Sequence, residues 1–401
     1  MKALRKLVPL LAALVLPAAA SAQAAPSDFT FALHGFVSMS GAFGTGRFNL
    51  SPGQQTLSAA AEPTFDKNSL TFDVRQSRFN FSVKGPQVMF GATPTAVLEM
   101  DFFGGSSAGN YGNVSIYPRL RTTYIQLDWG SNKLQIGQQN DLTFAMAPTS
   151  LSHIAFPLGY ETGNIGWRRP GVFGFHTFPV FDDTKFELAW EVGRSQWSDG
   201  TLVNGFTAGE ASGAPALEAR ATITGGKLYT AWLAAHYSQA DLSGLGTHSA
   251  TTPNLATTTA FAAGGKVTFA GATVMVAGFT GKNTGPLLGQ FLNFSVGPTG
   301  NEDVSTTGYW AQAGYNLTKE FSLWALYGNQ APKAADATKI SLAQRENTTM
   351  NFQAIYRDGG FGTSLEYISF KTTYGTYAGG ALATHTDAKS SQIMATGTYF
   401  F

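Results

Sequence analysis

Ser391-Gln392-Ile393-Met394-Ala395-Thr396-Gly397-Thr398-Tyr399-Phe400-Phe401 is the stretch on which the fold turns. Side chains of an extended strand alternate between faces. Ile393, Ala395, Gly397, Tyr399 and Phe401 therefore share one face, with Gln392, Thr396 and Thr398 among their alternates. Aromatic residues directly before a carboxylate suit a closing strand whose outer face meets lipid. The expectation is a strand that seals a membrane barrel.

The alternation recurs upstream to residue 29, and the breaks between segments alternate in length. Phe29, Phe31, Leu33, Val37 and Met39 form a first apolar face, followed by a polar stretch over 43–68. The second strand is predicted from Leu70 to Lys84, the third from Thr95 to Phe103, and the fourth from Arg119 to Trp129. Gly130-Ser131-Asn132 turns into the fifth. Later strands are predicted near 164–176, 184–193, 215–224, 227–238, 258–270, 273–281, 307–316, 320–328, 346–357, 360–373 and 388–401. Turns such as Gly225-Gly226 and Asp358-Gly359-Gly360 join them in pairs, and polar loops, the last over 374–387, separate the pairs. The count is sixteen strands, seven short turns and eight long loops. Bacterial barrels have short periplasmic turns and long outer loops, so the predicted class is all-β, a transmembrane antiparallel β-barrel.

Composition agrees. Charged residues are 13% of the chain against about 25% in an ordinary soluble domain. A barrel with a lipid-facing wall needs few outward charges. Residues 1–22 carry Lys2, Arg5 and Lys6, an apolar run from Leu7 to Ala20, and a small-x-small site at Ala20-Ser21-Ala22. They read as a signal peptide, leaving 23–401 as one barrel domain. Without the three basic residues, 23 Lys plus Arg face 25 Asp plus Glu, a formal net charge of −2 that excludes a nucleic-acid partner. There is no cysteine, and no histidine has metal-ligand spacing, so neither a metal nor a cofactor is predicted. Aromatics near strand ends, including Phe29, Phe31, Trp129, Trp167, Trp190, Tyr309, Trp310, Tyr315, Phe321, Tyr399 and Phe401, suit interface girdles.

Sixteen strands enclose a lumen too wide for side chains alone to fill. Function then depends on what narrows it. The third long loop, Asn140 to Gly163, is unusually apolar: Leu142, Phe144, Met146, Leu151, Ile154, Phe156 and Leu158, with Asp141, His153 and Glu161 as its ionisable groups. Folding inward would bury the apolar side chains and constrict the channel. Charges within strands should face the lumen, since Arg or Lys on the lipid face at mid-bilayer costs about 2–4 kcal/mol. This selects Arg75, Arg78, Arg119, Arg121, Arg168, Arg169, Glu99 and Asp101 as wall residues, with Glu187, Glu191, Glu218, Arg220, Arg357 and Glu366 following. Arg75 and Arg78 differ in parity, as do Arg168 and Arg169, so a bulge or strand end must place one of each pair elsewhere. Arginines facing carboxylates would bias permeation by ion sign.

Asp73-Val74-Arg75-Gln76-Ser77-Arg78-Phe79, the run Arg119-Leu120-Arg121 through Trp129-Gly130, Leu134-Gln135-Ile136-Gly137-Gln138-Gln139-Asn140-Asp141, Gly166-Trp167-Arg168-Arg169-Pro170 and the terminal Tyr399-Phe400-Phe401 resemble general Gram-negative outer-membrane porins. Some of the pattern is similar to the dicarboxylate-associated porins, although their N-terminal coiled-coil extension is missing. The resemblance implies a trimer in the bacterial outer membrane that contacts lipid and lipopolysaccharide and is inserted by the barrel assembly machinery. It also implies a third loop inside the pore, Arg78, Arg121 and Arg168 on one wall, and Asp141 and Glu161 facing them. The usual acidic cluster of that loop is thin here. The implied function is passive diffusion of small hydrophilic solutes and ions; alternatives are a channel selective for organic anions or sugars, or an outer-membrane enzyme using His34 with Ser38 or His236 with Ser238.

Overall fold

The computed structural model describes residues 28–48, 53–61, 67–108, 114–196, 207–243, 254–292, 303–378 and 380–401. The predicted signal peptide lies outside them. Dyad alternation becomes strand throughout. The first eight strands are β1 (Thr30–Gly46), β2 (Ser69–Asp73 and Arg78–Lys84), β3 (Thr93–Asp101), β4 (Arg119–Asp128), β5 (Asn132–Asn140), β6 (Arg168–Phe181), β7 (Thr184–Gly193) and β8 (Ala216–Gly225). The remaining eight are β9 (Tyr229–Asp241), β10 (Leu255–Phe269), β11 (Ala272–Lys282), β12 (Ser305–Asn316), β13 (Phe321–Pro332), β14 (Gln344–Asp358), β15 (Phe361–Ala378) and β16 (Ala381–Phe400). No helix among the described residues is long and apolar enough to cross a membrane.

Each strand pairs antiparallel with its sequence neighbours, and β1 pairs with β16 from Phe36 opposite Phe400 to Gly46 opposite Ser390. Two further bonds, Gly35 N–H to Phe401 O at 3.0 Å and Phe401 N–H to Gly35 O at 3.1 Å, extend this seam. The result is a closed sixteen-stranded barrel in which no edge strand is left unpaired, the condition for β structure in lipid.

The alternation has a fixed sense. Val37, Met39, Phe72, Leu233, Phe261, Val276, Phe352, Leu365 and Ile393 point outward and are exposed, whereas Ser38, Ser40, Gln312, Asn351, Gln353, Glu366 and Thr396 point inward and are buried. An apolar exterior around a polar interior fits a wall immersed in a bilayer.

Three expectations are corrected. Residues 374–387 are not a long loop, because β15 and β16 pair out to Ala378 and Ala381, with Lys371 Nζ 3.0 Å from Asp387 Oδ2 across the ladder. The Thr and Tyr residues there have high strand propensity that polarity alone concealed. Trp310 and Trp167 are not girdle residues. Trp310 is 1% exposed and points inward, its Nε1–H donating to Asn164 Oδ1 at 2.7 Å, and Trp167 belongs to the neck of the third loop.

Candidate functional site

The inner wall is divided by chemistry. From β9 to β16 its inward residues include Trp232, Ala260, Met275, Phe279, Trp310, Leu326, Ile368 and Phe370, which pack with Ala59, Leu158, Ile165 and Leu287 from loops. From β2 to β8 the inward residues include Arg78, Glu99, Asp101, Arg121, Gln135, Arg169, Glu191 and Glu218, with a smaller apolar group at Phe173 and Ala189 under Leu142. Apolar wall needs a cover, and three loop segments provide it.

The first is Asp141–Trp167, between β5 and β6. Thr149 N–H donates to Gln312 Oε1 at 2.7 Å, while the Gln312 and Gln353 amides both donate to Thr149 O. Ser150 Oγ lies 2.6 Å from Glu366 Oε2, and Ser152 Oγ 2.8 Å from Thr396 Oγ1. On the other side, Gln76 Nε2 donates to Leu151 O at 3.1 Å and an Arg78 guanidinium N–H to Ile154 O at 3.1 Å. These partners are inward-facing residues of β12, β14, β15 and β16, with Arg78 at the start of the second segment of β2 and Gln76 in the break before it. Gly308 and Gly328 make room for the loop: a Cβ on Gly308 would meet the Gly163 Cα at 3.0 Å, and one on Gly328 would meet Thr162 O at 2.8 Å. Gly163 itself has φ +120°, a conformation that L side chains rarely adopt.

The second and third segments were not expected to fold inward. Residues 53–60 bind the wall through Gly53 N–H to Gln392 Oε1 (2.8 Å), Ala59 N–H to Thr372 Oγ1 (3.0 Å) and the Asn347 amide to Leu57 O (3.0 Å). Between β11 and β12, two short 3-10 turns bury Leu287 and Phe291, and Leu287 O accepts from Gly166 N–H at 2.6 Å. The latter loop carried a readable signal, Pro286-Leu287-Leu288 and Phe291-Leu292 in a polar surround. The former carried none, because its anchors are mainly backbone groups.

The predicted arginines fall into three environments. Arg75 sits in the break between the two halves of β2 and chelates its neighbour Asp73 at 3.0 and 2.8 Å, with its guanidinium 4.5 Å from the Phe103 ring. Arg78, Arg119, Arg121 and Arg168 gather on the inner wall, Arg78 and Arg119 partly exposed and Arg121 and Arg168 buried behind them. Arg119 bonds both oxygens of Asp101 (2.9 and 2.6 Å), and Arg121 bridges Glu99 and Asp101 at 2.7 Å each. Arg78 reaches Glu99 only at 3.8 Å, and Arg168 has no ion pair among the described residues. Instead its guanidinium lies 3.9 Å from the Trp167 ring centre. Arg119 is likewise surrounded by Phe103, Phe156 and Trp167 at 5.0–5.4 Å. Four guanidinium groups against two carboxylates leave this wall with a formal excess of two positive charges.

Arg169 is the third case. It points inward and is 1% exposed, against 6% for Arg121 and 5% for Arg168, and what sets it apart is a separate group of carboxylates around it. It chelates Asp141 at 2.8 and 2.8 Å and lies 3.2 Å from Glu191 and 3.6 Å from Glu218. Asp141 in turn closes the neck of the third loop, accepting from Trp167 N–H at 2.8 Å. Burial raises the Asp141 carboxyl, but the Arg169 charge and hydrogen bonds, together with that backbone donor, outweigh it and hold it below the ordinary 3.8. His153 is buried 2.7 Å from Glu366. Glu161 is turned away from the arginines, toward Ser58 and Gln344. Neither Asp141 nor Glu161 opposes Arg78, Arg121 or Arg168, unlike the arrangement that the resemblance implies.

Of the histidine pairs, His34 and Ser38 are not brought together: Ser38 Oγ bonds Thr398 Oγ1 at 2.9 Å, and His34 is exposed. His236 does align with Ser238, Nε2 to Oγ 2.8 Å, and with Glu218, Nδ1 to Oε1 2.7 Å. Ser238 is only 2% exposed, and Glu218 is also held by the Thr143 N–H at 2.9 Å. This array tethers the third loop to the wall and offers a substrate no approach. No group of three or more potential metal ligands occurs among the described residues.

The chain matches no family model and no curated protein. Solved structures do match it over nearly their full length. The outer-membrane channel DcaP of Acinetobacter baumannii superposes with a TM-score of 0.69 at 16% identity, covering 94% of this chain and 99% of that one. An anion-selective porin from Comamonas acidovorans gives 0.58 at 12% identity over 93% and 100% of the two chains. OmpF of Salmonella typhi, in complex with daunomycin, gives 0.56 at 12% identity over 94% and 99%. The chain therefore has the fold of outer-membrane porins.

Proposed function

We propose that the chain forms a water-filled channel in the bacterial outer membrane for passive diffusion of small hydrophilic solutes and ions, with a preference for anions. The observation that carries this reading is the excess of guanidinium on one side of the lumen: Arg78, Arg119, Arg121 and Arg168 against Glu99 and Asp101. A charged wall beside a narrow aqueous path concentrates the opposite ion and repels its own sign. The third loop supplies the narrowing, and its apolar and hydroxyl contacts fix it against the far wall. The rings of Phe103, Phe156 and Trp167 pack on Arg119 and Arg168, so they belong to the charged wall rather than to the side facing it.

Delivery by the signal peptide, insertion by the barrel assembly machinery, contact with lipopolysaccharide and assembly as a homotrimer belong to the same reading. One of the similar structures, OmpT of Vibrio cholerae, is described as a trimer form. Purified folded protein in planar bilayers should give stable conductance steps, and their absence would overturn the channel.

A second reading is a channel selective for organic anions, favoured by aromatic rings packed beside Arg119 and Arg168. Micromolar block of ion current by one organic anion but not by chloride would support it.

A further inference from the structure

Glu161 occupies an unusual place in the third loop. It has φ +57°, is 5% exposed, and its backbone carbonyl accepts from the Asn347 amide at 3.2 Å. The same amide donates to Leu57 O at 3.0 Å, so one side chain of β14 joins the first loop to the third. The Glu161 carboxyl completes the junction by hydrogen bonding to Ser58 of the first loop and Gln344 of β14. One of its oxygens, Oε2, is buried without a hydrogen-bond partner. An ionised carboxylate in that position would be stripped of water and left uncompensated.

No cation among the described residues compensates it. The groups acting on Glu161 are its burial and the two neutral partners. On β14, Arg345 is turned to Tyr377 Oη (2.7 Å) and Ala334 O (2.9 Å), and Glu346 to the Asn329 amide (2.8 Å). On β15, Thr372 and Tyr374 face the first loop with hydroxyls, and Lys371 pairs with Asp387. On β12 and β13, glycines 308 and 328 meet residues 162 and 163.

We propose that Glu161 is a proton-controlled latch between the first and third loops: protonated, it holds both against β14 and narrows the channel; ionised, it releases the first loop and widens the path. This rests on the channel reading above.

Burial pushes the Glu161 carboxyl from the ordinary 4.5 up to about 7. A carboxyl raised in the docked state favours docking at low pH, and that advantage is lost as pH rises from 4.5 to 7. With 4.5 in the released state, docking weakens about tenfold between roughly pH 6 and pH 8.

The test is hydrogen exchange, corrected for intrinsic rates, on folded protein in nanodiscs, with conductance measured in parallel. Protection of residues 53–60 should fall about tenfold from roughly pH 6 to pH 8 in the natural sequence. Glu161→Gln, which keeps the shape without the charge, should hold protection flat and conductance at its low-pH value. Protection that ignores pH, or that falls equally in Glu161→Gln, overturns the latch while leaving the channel intact. A Glu161-dependent loss of protection in a barrel that never conducts would overturn the channel reading and keep the junction.

Discussion

Replacing Arg169 by methionine removes the cation that Asp141, Glu191 and Glu218 share, in a site sealed from water. Asp141 loses two bonds of 2.8 Å, and all three carboxylates keep their burial. Removing one partner of a buried pair typically costs about 3–5 kcal/mol, because the remaining charge is uncompensated. That cost should appear locally. Sixteen paired strands hold the barrel independently of the loop, while the neck of residues 141–167 depends on Asp141 bridging Arg169 and Trp167 N–H. At ~1.4 kcal/mol per tenfold, exchange protection across 142–166 should drop by about 10²–10⁴, limited by sub-global opening. Protection in β10 to β14 should be unchanged. The assay is hydrogen exchange read by mass spectrometry, with heat-modifiable gel mobility confirming the folded barrel. Arg169→Lys, which retains charge but not the fork, should fall between. Wild-type protection of the loop in Arg169→Met would refute the claim that this ion cluster fixes it. Acid offers an independent check. Asp141 is depressed below 3.8 in the docked loop, so its contribution is present above that value and is lost as pH falls through the lower docked one.

Gly328→Ala should force Thr162 from the wall, since the new Cβ would lie 2.8 Å from its carbonyl oxygen; a local cost of about 1–3 kcal/mol and altered conductance, with unchanged barrel melting, are expected. Phe352→Arg places a charge on the outward face in the middle of β14 and should destabilise folding into vesicles by about 2–4 kcal/mol in urea titrations, whereas Asn351→Arg should not incur that lipid cost. Arg168→Ser removes a guanidinium that has no ion pair among the described residues and should shift reversal potential toward zero with little effect on stability. Ser238→Ala should leave conductance intact and lower third-loop protection by only about one hydrogen bond, ~1 kcal/mol.

The barrel was legible because lipid imposes one rule on every strand. Alternation such as Ile393, Ala395, Gly397 on one face and Gln392, Thr396, Thr398 on the other repeats sixteen times, and each repeat reinforces the rest. Where the rule fails, so does the reading. Trp310 is an indole placed inward, and only its hydrogen bond to Asn164, 146 residues distant, explains it. Arg169 and Arg168 are adjacent in sequence, yet one is sealed among carboxylates and the other stacks on Trp167. That separation depends on Asp141, Glu191 and Glu218 converging from different elements, which spacing along the chain does not encode. The contribution of residues 53–60 was equally hidden, because Gly53 and Ala59 bind through main-chain groups present in every sequence.

The central claim is that this barrel encloses an open aqueous path whose sign is set by Arg78, Arg119, Arg121 and Arg168. Its most direct test is the reversal potential of the purified, folded protein in a planar bilayer under a potassium chloride gradient. The account predicts steady conductance with a reversal potential of the sign that marks chloride as the more permeant ion. A silent bilayer, or a potential marking potassium as favoured, contradicts it.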